Sequence, residues 1–152
     1  SNRTYVQKTL KLTFDSWPEF PVKLKRPPVQ EVTKIEYKKE DGTLVEWDAS
    51  NYAVDDISFI PKIVLSDNYN IPSDDLFSTN AIQITYIAGY KPDDSEDNID
   101  YRVNIPARYK HAIKLLIADW WENREAVIKG TTAQKIPNGV KGLLQADRVM
   151  PV

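Results

Sequence analysis

The hydrophobic period of this chain changes once, near residue 105 of 152, and that change limits the folds open to it. Upstream, apolar residues recur at every second position in short runs; downstream they recur every third and fourth. In Gln7–Asp15, Leu10, Leu12 and Phe14 alternate with Thr9, Lys11 and Thr13, as in a half-buried strand. A second alternating run, Val22–Lys25, stops at Pro27-Pro28, because proline donates nothing to a sheet ladder. Residues 31–47 read as a hairpin. Asp41-Gly42 supplies its turn, with Ile35 and Tyr37 on one arm and Val45 and Trp47 on the other. Further strands are expected at 52–54, 62–65 and 81–87, separated by Asn, Asp, Pro and Ser loops.

Strands of this length, with turns every 8–12 residues, predict an antiparallel sandwich or small barrel rather than βαβ units. Then the period lengthens. From Ile105 to Lys129, Tyr109, Ile113, Leu116, Ile117, Trp120 and Val127 form one apolar stripe on a helical wheel, with Pro106 in the first turn and Gly130 after the last. A short second helix is expected over 137–149. Strands first and helices last make the chain α+β with segregated elements: a β-rich body over 4–90, a long helix over 105–129 and a short C-terminal helix. The length suits one domain.

Several chemistries are excluded by composition. The chain has no cysteine and one histidine, so thiol catalysis, disulfides, Cys/His zinc sites and an HExxH centre are ruled out. His111 falls on the polar side of the long helix, away from the stripe, where a general base has no cleft to work in. The sequence contains no GxGxxG, no GxxxxGK[ST] and no GxSxG. The acidic run from Asp93 to Asp100 fails as an EF-hand, since Asn98 and Asn104 stand where glycine and glutamate are required. It reads as a solvated loop carrying Asp93, Asp94, Glu96, Asp97 and Asp100. A net charge of −2 gives no general case for gripping nucleic acid, and no apolar run is long enough to cross a membrane as a helix. No cofactor or metal is implied, and the chain is not expected to be an enzyme.

The remaining oddities look like interaction. Trp120 is expected in the core; Trp121, at the flank of the stripe, either caps the core or projects. Arg124 lies near the stripe's centre, so its guanidinium must snorkel, pair with a carboxylate or meet another chain. Tryptophan and arginine often dominate protein contacts.

Taken in order, these pieces resemble the head–tail connector (adaptor, or head-completion) proteins of tailed bacteriophages and prophages. The resemblance rests on RTYVQKTLKL, DSWPEFPVKL, PPVQEVTKIEYKKEDG, NYAVD, ITYIAGY, the helix IP…AIKLLIADWWENRE and IPNGVKGLL, which together span nearly the whole chain. It implies a non-enzymatic ring subunit between portal and tail, with self, portal and tail-completion proteins as partners. DNA would pass through unbound, with no membrane involved. The implied location is the virion neck, after assembly in the bacterial cytoplasm. The resemblance also implies an interface role for Glu122–Glu125 and Pro137–Leu144, making Trp120, Trp121, Arg124, Glu125, Pro137, Leu143 and Leu144 the candidate contact residues. The acidic loop is expected to face the channel. Family members carry helices ahead of the Arg3-Thr4-Tyr5 strand, whereas this chain begins at Ser1-Asn2. A rival class is an extracellular β-sandwich module binding carbohydrate or protein through exposed aromatics such as Trp47, Tyr52 or Tyr69.

Overall fold

The computed structural model describes residues 2–93, 95, 99–100, 102–122 and 138–145. Alternation in the sequence becomes two antiparallel sheets. β1 (Lys8–Phe14), β7 (Ile82–Ala88), β3 (Val29–Lys38) and β4 (Leu44–Trp47) make a four-stranded sheet in the order β1-β7-β3-β4. β2 (Val22–Lys23), β6 (Lys62–Leu65) and β5 (Tyr52–Asp55) make a smaller one in the order β2-β6-β5. The fold is α+β, as the period change predicts, with α1 (Ala107–Glu122) and α2 (Asn138–Gln145) following the strands.

The expected hairpin forms with the anticipated register: Ile35 opposes Trp47 and Tyr37 opposes Val45. Gly42 takes the turn at φ +89°, and the Asp41 carboxylate accepts the Thr43 amide at 2.8 Å, fixing the loop. On β1, Leu10, Leu12 and Phe14 turn partly inward while their neighbours face out. β7 is the central strand, paired on one side with β1 and on the other with β3. Its burial on both faces accounts for the nearly unbroken apolar run that encodes it.

One core joins the sheets. Val22, Leu24 and Ile63 from the small sheet and its flank meet Ile35, Ile82, Ile84 and Tyr86 of the large one. At one end the core is aromatic. Trp47 is 3% exposed and lies 4.8 Å from Trp17 and 5.6 Å from Tyr52, ring centre to ring centre. Its indole N–H donates to the Asn70 carbonyl at 2.8 Å, so the polar edge of the ring is satisfied inside.

α1 docks just past the C-terminal end of β7, through Tyr109. Tyr109 is buried with its ring 4.6 Å from Tyr5 and 6.5 Å from Tyr90, and Ala112 lies one turn further on. Val140, fully buried, anchors α2, which packs on α1. Sequence places the start of α1 at Ile105; the helix begins at Ala107, after Pro106 accepts the Tyr109 amide at 3.0 Å. The expected continuation to Lys129, including Val127, lies outside the described residues.

Candidate functional site

Helical periodicity makes seven apolar residues of α1 neighbours across about half its circumference: Tyr109, Ala112, Ile113, Leu116, Ile117, Trp120 and Trp121. The body covers only one side of that arc. Tyr109 and Ala112 are buried and Leu116 half-buried, whereas Ile113 and Ile117 are 56% and 55% exposed. Trp120 and Trp121 are each 67% exposed. This corrects the expectation that Ile113, Ile117 and Trp120 pack into the core. Trp120 lies only about 20° round the helix from Tyr109, so its exposure comes from its place along the axis, three turns beyond the contacts of Tyr109 with Tyr5 and Tyr90.

The exposed residues fall at i, i+4, i+7 and i+8, so they form a continuous stripe. Beside it, Lys114, Ile117, Ala118, Trp121 and Glu122 line a shallow, largely apolar groove of about 300 Å³. His111 is exposed, as its place on the polar face predicts. Leu143 and Leu144 of α2 are half-buried, while Val140, which sequence reasoning passed over, makes the buried contact. Arg124, Glu125 and Pro137 lie outside the described residues.

A second exposed apolar group was not anticipated. In the β5–β6 connection, Ile57 is 95% exposed and Phe59 59%, with the Arg3 guanidinium 5.4 Å from the Phe59 ring centre. The turn beneath them is braced. The Asp55 carboxylate accepts the Ser58 amide at 3.1 Å and its hydroxyl at 2.7 Å, and Lys62 stands 3.5 Å away. These interactions hold the Asp55 carboxyl below its ordinary value, the Ser58 hydroxyl being the largest cause. The sequence signal, Ile-Ser-Phe-Ile between Asp-Asp and Pro, reads equally well as the start of a strand.

In the acidic connection, Asp93 and Asp100 pair through their backbones, each amide donating to the other's carbonyl at 2.9 Å. Their carboxylates serve the local chain: Asp93 accepts the Ser95 amide, and Asp100 takes the Arg102 amide and guanidinium. Asp94, Glu96 and Asp97 lie outside the described residues. Among the described residues, no group of three or more His, Asp or Glu side chains is placed to hold a metal ion. The three aromatics named for the carbohydrate-binding rival do not form a shared exposed platform. Trp47 is buried and Tyr52 half-buried against it, which leaves Tyr69 alone exposed of the three.

By sequence, no family model and no curated protein matches the chain. The fold does have counterparts. A chain in the virion of a native gene transfer agent particle superposes with a TM-score of 0.69 at 17% identity, over 99% of this chain and 70% of that one. A chain in the neck of the empty particle, computed with C6 symmetry, gives 0.69 at 18% identity over the same shares. One in the neck of the native particle, computed with C12 symmetry, gives 0.68 at 19% identity, over 99% and 74%. At these identities the likeness is one of fold.

Proposed function

We propose that this protein is a structural subunit of a phage or prophage neck. It is a head–tail adaptor that joins portal to tail as a ring around a DNA channel, and it assembles in the bacterial cytoplasm. One observation carries the reading: almost the entire chain shares its fold with chains from the neck of a gene transfer agent particle, computed with C6 and C12 symmetry. The distribution of apolar surface supports it. A ring of identical copies needs two different sticky patches per subunit, and the chain exposes the α1 stripe and the β5–β6 tip. Charge supports it as well. A conduit that neutralised phosphates would hold DNA with salt-dependent affinity, and a net charge of −2 avoids that. In this reading the Asp93–Asp100 connection faces the channel.

Light scattering behind size exclusion tests the proposal. A species with the mass of six or twelve copies, appearing as an annulus in electron micrographs, is the expected result. A strictly monomeric chain that also fails to bind purified portal rings would overturn it. An annulus with the Asp93–Asp100 connection on its outer rim would remove the channel-facing assignment alone.

A further inference from the structure

We propose that the β5–β6 tip of one copy, Ile57 and Phe59, seats on the exposed α1 stripe of the next, formed by Ile113, Ile117, Trp120 and Trp121. The inference rests on the neck-ring reading and specifies which surfaces make the ring.

Shape is the first ground. The tip is a knob, with Ile57 at its summit 95% exposed, and the helix offers a groove of about 300 Å³ lined by Ile117, Ala118 and Trp121. Rigidity is the second. Asp55 ties the turn to Ser58 and Lys62, so the knob is held in one form before it meets a partner, which lowers the entropy cost of ordering it on contact. Charge is the third. Exposed Asp56 adjoins the knob, and the groove is flanked by Lys114 on one side and Glu122 on the other, so the knob is drawn in with Asp56 toward Lys114 and away from Glu122, which sets its orientation.

Symmetry then selects the occupant. Stripe against stripe is a two-fold contact, and it closes at two copies. Knob into groove uses two different patches of one chain, leaves each copy with one free knob and one free groove, and propagates until a ring closes.

The chain has no cysteine, so engineered thiols report this contact without background. Ile57→Cys and Ala118→Cys, both at exposed positions, are purified separately and mixed under mild oxidation. The expected result is a disulfide dimer from the mixture, little product from either variant alone, and a ladder of multimers from the double variant. Dimerisation of Ala118→Cys by itself, or no cross-link in the mixture, overturns the inference. Light scattering on the same samples separates the two levels. Ring-sized particles without the cross-link sink the knob-and-groove contact but leave the ring standing, whereas monomers throughout that also fail to bind purified portal rings sink both. A charge exchange gives an independent readout. Lys114→Glu should raise the concentration needed for assembly by about tenfold, and adding Asp56→Lys should recover most of that loss. Equal weakening in the double exchange would count against the pairing.

Discussion

A side chain at position 89 has nowhere to go. The φ angle of Gly89 is +108°, and a Cβ there would overlap the Val6 carbonyl and the Gln7 nitrogen, where the N-terminal segment bridges Tyr90. The Gly89 amide donates to the Pro28 carbonyl at 2.8 Å, so the backbone cannot swing aside. Gly89→Ala should therefore cost about 2 kcal/mol or more, read as a lowered urea midpoint with unchanged slope. Asn51 works in the opposite way, through what its side chain holds. Its carboxamide oxygen accepts the Asn70 amide at 2.7 Å and its NH₂ donates to the Asp48 carbonyl at 3.0 Å, tying the loop before β5 to the loop after β6. Asn51→Ala should cost about 1–3 kcal/mol, read as a lowered urea midpoint, because the Asn70 amide loses its acceptor and the Asp48 carbonyl its donor. Gly89 was legible in part, as the middle of an Ala-Gly-Tyr strand ending. Asn51 was not, since asparagine in a turn-rich stretch looks the same whether it is solvated or knits two loops together.

At the scale of the element, periodicity located nearly every strand and both helices, because alternation and turn chemistry are local. How far along a helix the body reaches is not local, and there the expectation for α1 carried the buried stripe on to Trp120, three turns past buried Tyr109. The structure makes the difference measurable. Trp120→Ala should leave the stability of the isolated subunit within about 0.5 kcal/mol, whereas Tyr109→Ala, emptying the seat between Tyr5 and Tyr90, should cost about 3 kcal/mol. The sheets carry their own signature in alkali. Burial, its largest cause in each case, raises the phenol pKa of Tyr86 on β7, Tyr37 on β3 and Tyr52 on β5. The unfolded chain ionises first, at the ordinary value of about 10, while the folded chain keeps its phenols neutral. The stability so contributed is whole below that pH and drains away as pH rises above it. Urea midpoints measured at increasing alkalinity should fall, and Tyr86→Phe should flatten the decline.

For the whole molecule, the fold class was legible and the exposed apolar surfaces only half so. Apolar residues at helical spacing marked α1, but the β5–β6 tip emerged only when the chain's turns were placed in space. The neck reading also carries a prediction about what the protein does not hold. Duplex DNA titrated with the protein at physiological salt should show no anisotropy change up to about 100 µM protein, since no phosphate-neutralising patch is being asked for. Tight binding that weakens steeply with salt would turn attention back to a gripping role.

The strands at the margins of the two sheets have a consequence of their own. β2 has two residues, β4 and β5 four each, and the one long margin, β1, presents Lys8 and Lys11. Bare amides and carbonyls along a flat margin invite any passing strand, and charge and brevity discourage it. Copies crowded at high local concentration are thereby steered away from endless fibres. They meet through side chains, whose shapes limit what fits, and not through backbone, which would accept anything.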